Sequence, residues 1–599
     1  MNTPSYLDDI RFLLNEVVAF SASVRDPEWM TTELAMSIIE EAGKFAAGVL
    51  APLNASGDQT GLALEDGKVT TPDGFAEAWQ QMCANGWNNM AVSEAAGGQG
   101  LPWMVTTLIT EMFSQANKAF TMCPGLTLGA IEAIEAAAPD HIKHTFLPKL
   151  VSGQWTGTMN LTEPQAGSDV GAIRASAVAA DDGSYRIKGQ KIFISFGEHD
   201  MASNIVHLVL ARLPDAPAGV SGISLFLVPK FLVNSDGSLG DRNDVVCTAL
   251  EHKLGIHASP TAVMSFGDQD GAVGYLIGEP NRGLGAMFVM MNMARLAVGI
   301  EGVASAESAT DLARRYAFER VQGSSPDDPS RPVCIAEHMD VGRMLMQMTA
   351  RTRAMRLMAL VIAEAQDNLV NQTDPLQRQS ASQFINLMIP VFKGWATESG
   401  VDIASMGIQI HGGMGYVEET GAAQIWRDAR ISPIYEGTTG IQANDLVCRK
   451  LYRDRGEAFQ ALIARMQLTC ADADEAGFRH LASLLQPAVE ALADVGRSVI
   501  DSCDSNIKTA QFVSVPFLMM MGQVSGGWLL VRAALQAQAC RDTDRYANEL
   551  LDDWIQSAEF YCRSSLAEAS GLGLQITNNL ASEESPLPDI TLLQRGCPA

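Results

Sequence analysis

Positive charge is scarce in this chain of 599 residues: 42 Lys and Arg stand against 69 acids, for a formal net charge of −27. A field of that sign repels nucleic-acid backbones and anionic lipid surfaces, so no nucleic-acid partner is expected. The last quarter hides no basic platform either, since from residue 451 onward eleven Lys and Arg face nineteen acids. An anionic ligand must therefore be met by local cations or by backbone N–H groups. Paired cysteines are lacking too. Ten cysteines occur without a Cys-x-x-Cys spacing, which suits free thiols in a reducing cytoplasm. His199, His252 and His257 lie in polar turns without a ligand spacing, so no metal is expected. No secretory leader is expected, because Met1 to Phe20 interleaves Asp8, Asp9, Arg11 and Glu16 with Ile10, Leu13, Leu14, Val17 and Val18, the pattern of an amphipathic helix. The dinucleotide fingerprint is missing, as Gly283-Leu-Gly285 ends in Phe288 where a third glycine belongs. One run, Phe512 to Val531, lacks charge over about the length of a bilayer crossing. Its Pro516, Gly522, Gln523, Ser525, Gly526 and Gly527, with no basic cluster flanking it, point to a buried helix hairpin rather than membrane contact.

What is present is a large apolar fraction, 47%, in a chain long enough for several structural units. Residues 1–155 read as a helical domain, with Ala35, Ile38, Ile39, Ala42, Phe45 and Ala46 on one face and further helices over 101–113 and 125–138. Residues 54–73 read as a loop or small hairpin. Residues 156–280 change to short β-branched runs (Tyr185–Ile187, Lys191–Ser195, Ile205–Leu210, Ile223–Val228, Ala262–Phe266). Turns at Asp182-Gly183, Lys188-Gly189 and Asp236-Gly237 separate them, the pattern of an antiparallel sheet or barrel. Helical periodicity returns over 281–450, interrupted by the Arg320–Arg331 loop, and 451–599 form an additional helical domain with a loosely ordered tail from Glu583.

Four segments carry chemistry. Met159-Asn160-Leu161-Thr162-Glu163-Pro164-Gln165-Ala166-Gly167-Ser168-Asp169 follows a strand-like segment and offers hydroxyls and N–H donors to a flat heterocycle or a phosphate, although alone it is equally a plain Pro-Gly turn. Gly189-Gln190-Lys191-Ile192-Phe193-Ile194-Ser195 places Phe193 and Ser195 on one strand face, which suits a planar cofactor or an ordinary sheet surface. Gln409-Ile410-His411-Gly412-Gly413-Met414-Gly415-Tyr416 is a glycine-rich loop after a helix. Ile431-Ser-Pro-Ile-Tyr-Glu436-Gly-Thr-Thr-Gly440-Ile-Gln442 holds the only acid between Asp428 and Asp445. Apolar and hydroxyl neighbours disfavour that carboxylate as an anion, which raises its pKa toward the range of a general base.

In this order the four segments resemble the acyl-CoA dehydrogenase family, from about Ile10 to Leu451. With the extra helical block and Phe196-Gly-Glu-His-Asp200, the chain is similar to the 3-(methylthio)propanoyl-CoA dehydrogenase group within it. The resemblance implies a multidomain α+β fold: an N-terminal helical domain, a central antiparallel β-barrel, a C-terminal four-helix bundle and an extra C-terminal helical domain. It implies FAD, cradled by Met159, Leu161, Thr162, Ser168, Phe193, Ile194 and Ser195, where relatives carry Trp for Phe193 and Thr for Ser195. Arg320 and Gln322 would reach the FAD of a neighbouring subunit, with Gly323 where relatives place an aromatic. Gln409, Gly412 and Gly413 would approach its diphosphate, with Thr438 and Gly440 against the dinucleotide. Ser168, Asn292, Arg295 and Gly437 would contact acyl-CoA. Glu436 would be the catalytic base. Relatives that place the base near residue 294 are not matched, since Met293 and Ala294 stand there.

The implied reaction is α,β-dehydrogenation of an acyl-CoA to a trans-2-enoyl-CoA, with electrons passed to an electron-transfer flavoprotein by a cytoplasmic homodimer. The substrate could be 3-(methylthio)propanoyl-CoA, from dimethylsulfoniopropionate breakdown. Alternatives are a medium- or long-chain fatty acyl-CoA dehydrogenase of β-oxidation and an acyl-CoA oxidase. A DNA-associated flavoprotein conflicts with the acidic C-terminal block. Gly125 and Gly129 would deepen the acyl pocket and nearby methionines would close it.

Overall fold

The computed structural model describes residues 4–582 except Asp544, and the expected loose tail from Glu583 lies outside them. Two compact units emerge. The first comprises Ala35–Ser305 and Gly415–Ile431, and the second comprises 4–34, Ala306–Met414 and 432–582.

The first unit begins within the helix Thr32–Phe45, which buries Ala35, Ile39, Ala42 and Phe45 as its periodicity requires. Residues 54–73 differ from expectation. Pro52, at a helix N-terminus where its missing N–H costs nothing, starts the helix Pro52–Thr60. Only then does the hairpin Ala63–Glu65 with Lys68–Thr70 follow. The two apolar runs at 101–113 and 125–138 form one element, Trp103–Ala137, broken at Asn117 (φ −159°, ψ 89°). The Asn117 side chain heals the break by accepting Phe120 N at 3.0 Å.

The β region is an eight-stranded sheet. Its central strands, Asn204–Arg212 and Ile223–Pro229, pair antiparallel and alternate strictly. Val206, Leu208, Leu210, Leu225 and Leu227 face a core shared with Ile131, Ile134 and Phe146. Val209, Ala211, Phe226 and Val228 face a second core with Ile187, Ala262 and Phe266. Pairings join Tyr185–Ser195, Ala272–Ile277, Ile223–Pro229, Asn204–Arg212 and Ser176–Ala179 into a ring. The sheet is not wholly antiparallel, because Trp155–Asn160 runs parallel to Asn204–Arg212. The expected Lys188-Gly189 turn is absent. One strand runs Tyr185–Ser195, and Gly189 (φ +149°) is needed because a Cβ there would lie 2.9 Å from Ala175 Cα.

The second unit is helical, built on Met339–Asn371, Pro375–His411, Ser514–Cys540 and Asn548–Leu580. The charge-free run is one helix and not a hairpin. Its glycines form a notch for Trp395: a Cβ on Gly522 would sit 2.3 Å from the Trp395 Cγ. Ser514–Cys540 has the length and composition of a membrane span, but 83% of its most apolar window is buried in the unit. Among the described residues one more helix is of that kind, Gly283–Glu319, with 47% of its most apolar window buried.

Candidate active site

The turn after Trp155–Asn160 closes on itself through Glu163 N to Ala166 O (3.0 Å) and Ala166 N to Glu163 O (2.9 Å). Its glutamate is a lock rather than a reactant. The Glu163 carboxylate is buried and accepts from Lys191 Nζ (2.8 Å), Arg174 N (2.6 Å), Ala175 N (3.0 Å) and Gln165 Nε2 (2.6 Å). Burial opposes its charge, but Lys191 and the backbone donors outweigh that and hold it below the usual carboxylate range. Lys191, with no exposed surface, also donates to Leu161 O at 3.0 Å, and burial pulls its ammonium down to about 8 against the attraction of Glu163.

Ile192 N donates to Thr162 O at 3.0 Å, so the turn and the Tyr185–Ser195 strand are neighbours. The strand carries an irregularity there: Ala262 pairs with Ile194 but Met264 with Lys191. Phe193, at this bulge, has φ +59° and 58% exposure. The expected simple alternation of Phe193 and Ser195 is therefore modified by an extra residue. An aromatic held in the left-handed region and turned to the outside is a mark of function more than of packing. Ile194 is buried, Met159, Leu161, Thr162 and Ser195 are half-buried, and Ser168 is exposed. The Phe196–Asp200 stretch is structural. Glu198 pairs with Lys230 and Arg242, and His199 meets Thr156 Oγ1 at 2.8 Å.

Also in the first unit, Asn292 and Arg295 stand three residues apart on Gly283–Glu319 and so share a helix face. Arg295 is buried and Asn292 and Ala294 half-buried. The space Gly129 leaves is taken by Met290, whose Cγ lies 2.9 Å from where a Cβ would be, whereas Gly125 faces open space.

In the second unit, Glu436 is half-buried at φ +56° and Gly437 follows at φ +92°. Two successive left-handed residues, one a glutamate, need outside support. Gln442 Nε2 reaches both carbonyls, Glu436 O and Gly437 O, at 3.1 Å, and Lys393 Nζ meets Gly437 O at 2.7 Å. Thr439 ties the loop at N to Pro433 O (3.0 Å) and at Oγ1 to Glu398 (2.6 Å). Thr438 caps the helix Thr439–Asp445, which contains Gly440, by accepting Ile441 N at 3.3 Å. Gln442 sits in the motif, while Lys393 gives only a faint signal, one cation in the apolar stretch Ile389–Trp395.

A second group collects elsewhere in that unit. Arg320 Nη2 donates to Gln322 Oε1 at 2.9 Å, and both are exposed. Tyr316, one turn before Arg320, stacks on His411 at 4.5 Å, which brings Arg320 and Gln322 near the exposed Gln409, Gly412 and Gly413. Gly323 is left-handed (φ +79°), and a Cβ there would lie 3.0 Å from His338 Cε1, which accounts for the missing aromatic. On the Pro375–His411 helix Gln409 lies sixteen residues, about 24 Å, beyond Lys393. Along that helix these residues and the Glu436 loop are thus well separated.

Family models match along most of the chain: acyl-CoA dehydrogenase N-terminal domain over residues 32–154, middle domain over 158–269 and C-terminal domain over 281–451, and an acetyl-CoA dehydrogenase C-terminal-like domain over 462–582. The chain belongs to the acyl-CoA dehydrogenase family. It is an oxidoreductase of acyl-CoA thioesters with FAD as cofactor. It is 44% identical to 3-methylmercaptopropionyl-CoA dehydrogenase of Ruegeria pomeroyi, over 91% of this chain and 92% of that one. It is 33% identical to the broad-specificity linear acyl-CoA dehydrogenase FadE5 of Mycobacterium tuberculosis, over 94% and 95%. Among solved structures, an acyl-CoA dehydrogenase from Bacillus anthracis complexed with FAD aligns with a TM-score of 0.74 and 21% identity, over 95% of this chain and 92% of that one, a likeness of fold.

Proposed function

We propose that this dehydrogenase oxidises 3-(methylthio)propanoyl-CoA, in dimethylsulfoniopropionate breakdown, to the trans-2-enoyl-CoA, with Glu436 as its base. The left-handed Glu436–Gly437 pair carries the reading of the base, since a strained acid clamped by two buried side chains has no purpose in an ordinary loop. The extent of the similarity to the Ruegeria pomeroyi enzyme supports the substrate. So does Met290 over Gly129, which shortens the space a long acyl chain would need.

The residues fit FAD: an exposed aromatic at a bulge, hydroxyls at Thr162 and Ser195, and two exposed glycines at 412 and 413 whose absent Cβ atoms would meet nothing within 4 Å. When bound, FAD supplies the hydride acceptor. Met159, Leu161, Thr162, Ser168, Phe193, Ile194 and Ser195 would hold its ring, and Thr438 and Gly440 would lie along the dinucleotide. Arg320, Gln322, Gln409, Gly412 and Gly413, about 24 Å along the helix from the base loop, would serve the FAD of a second subunit. A helix C-terminus is the negative end of its dipole, so the Arg320 guanidinium is what makes that group acceptable to a diphosphate. The Glu436 carboxylate takes the α proton, and its backbone N–H stabilises the negative charge that develops on the thioester oxygen. Ser168, Asn292, Arg295 and Gly437 would bind the acyl-CoA.

On this reading the enzyme is a cytoplasmic homodimer that delivers electrons to an electron-transfer flavoprotein. Its strand ring is a small barrel, its 281–450 helices form a four-helix bundle, and its four domains are 1–155, 156–280, 281–450 and 451–599. Steady-state rates with 3-(methylthio)propanoyl-, butanoyl-, octanoyl- and palmitoyl-CoA test the substrate: kcat/KM should be highest for the thioether, and a maximum at palmitoyl-CoA would refute it.

A further inference from the structure

The carbonyl oxygens of the base loop face two side chains with no exposed surface, Lys393 and Gln442. Gln442 commits its amide nitrogen to both peptides of the left-handed pair. Its Oε1 is buried with no hydrogen-bond partner among the described residues, a cost that packing alone would not select. Lys393 adds a charge-assisted hydrogen bond to the second carbonyl, at 2.7 Å. It comes from the interior of a long helix, where its own backbone is braced by Thr397 Oγ1 donating to Lys393 O at 2.7 Å. A Cβ on Gly437 would approach Gln442 Nε2 to 2.7 Å, so glycine, glutamine and lysine form one close-fitting clamp.

We propose that Lys393 and Gln442 are positioning residues for the base, fixing Glu436 in a backbone conformation that it would otherwise leave. The inference rests on Glu436 being the base. A glutamate at φ +56° gains freedom by returning to the right-handed or extended region, and that rotation swings its carboxylate and its N–H together. Both are needed at once, one for the α proton and the other for the thioester oxygen. The clamp acts on the carbonyl side of each peptide, through Glu436 O and Gly437 O. Loss of either donor therefore slows the chemical step while substrate binding persists.

The test uses full-length holoenzyme carrying Lys393→Met, Lys393→Arg, Gln442→Met or, in parallel, Glu436→Gln. Anaerobic stopped-flow absorbance follows flavin reduction by 3-(methylthio)propanoyl-CoA or, for a substrate-independent comparison, butanoyl-CoA. Binding of a non-oxidisable thioether analogue and FAD content are measured on the same samples. Lys393→Met and Gln442→Met should reduce flavin on the order of 100-fold more slowly, with analogue affinity within about threefold of the parent, and Lys393→Arg should recover most of the rate. Gln442→Met, which keeps volume and places no charge, carries the test if Lys393→Met yields no holoenzyme. Parental reduction rates in Lys393→Met or Gln442→Met beside an inactive Glu436→Gln would overturn the positioning role. So would a loss confined to analogue affinity. Normal reduction in Glu436→Gln would instead remove the base on which the inference stands.

Discussion

Lys191→Met asks how the turn proposed to cradle the flavin is held. Methionine approximates the lysine stem in shape and removes the ammonium, leaving Glu163 buried with its backbone donors and Gln165 but without the cation at 2.8 Å. Breaking one side of a buried ion pair costs about 3–5 kcal/mol. The carbonyl of Leu161 loses its donor as well, for about 1 kcal/mol more. For a unit of this size that corresponds to a fall of roughly 10 °C in its unfolding midpoint. Glu163→Gln should cost a similar amount, since it strands the ammonium. The double variant leaves no uncompensated charge and should recover about 2–3 kcal/mol relative to the sum of the singles. Release of FAD fluorescence on heating reads the turn directly, because Thr162 lies between the locked Leu161 and Glu163. The reasoning is refuted if Lys191→Met releases flavin at the parental temperature, or if the double variant is no better than additive.

Other expectations follow from the same geometry. Glu436→Gln should keep FAD and fold and abolish flavin bleaching by acyl-CoA, and normal bleaching would send the proton elsewhere. Gly437→Ala places a Cβ at φ +92° and 2.7 Å from Gln442 Nε2. About 1–2 kcal/mol of strain plus displacement of the Gln442 hydrogen bonds should slow flavin reduction on the order of 10–100-fold, whereas an unchanged rate would mean the loop tolerates the shift. Burial, with help from Lys230, pushes His199 and His207 down to about 3. Both stay neutral when folded, while the unfolded chain binds protons below its ordinary value near 6.5. Stability is complete above that pH and is lost as pH falls from 6.5 toward 3, at about 2 kcal/mol per histidine by pH 5. Thermal midpoints at pH 7.5 and 5 should show the drop, and His207→Gln should remove about half of it. Arg320→Ala should lower FAD retained after dialysis, and full retention would detach that residue from the diphosphate.

The apolar runs Ile205–Leu210 and Ile223–Val228 were readable as strands because each faces a core on both sides, so nearly every position is apolar. Trp155–Asn160 was legible only as a strand-like lead into the turn, and its parallel pairing was hidden, since Thr156, Thr158 and Asn160 are polar positions that meet His199, His207 and one another. The charge-free run misled because glycine usually signals a break, whereas here Gly522 and Gly526 admit Trp395 to a continuous helix. At the site, residue types announced Glu436 and the hydroxyl-rich turn. Backbone strain at Phe193 and Glu436 was invisible, because a left-handed φ at a non-glycine residue leaves no trace in sequence. The clamps were equally hidden, as each joins the loop to a side chain on another element or one turn away.

Those hidden pieces share a design. Lys191 and Lys393 have no exposed surface, and each donates to a backbone carbonyl of a chemistry-bearing loop, Leu161 O at 3.0 Å and Gly437 O at 2.7 Å. Next to each anchored segment stands a non-glycine residue in the left-handed region, Phe193 beside the first and Glu436 in the second. In a chain this short of positive charge, two of its 42 cations are thus buried against carbonyls and unavailable to anionic ligands. Burying an ammonium is costly unless it is well paired, and the return is rigidity where a small displacement would slow hydride and proton removal together. The exposed Arg320 contrasts with them, and on the reading proposed above it would meet the FAD diphosphate of a second subunit. The difference follows their chemistry: a compact ammonium can be enclosed among a few oxygens, as Lys191 is by Leu161 O and Glu163, whereas a planar guanidinium suits the phosphate proposed for Arg320.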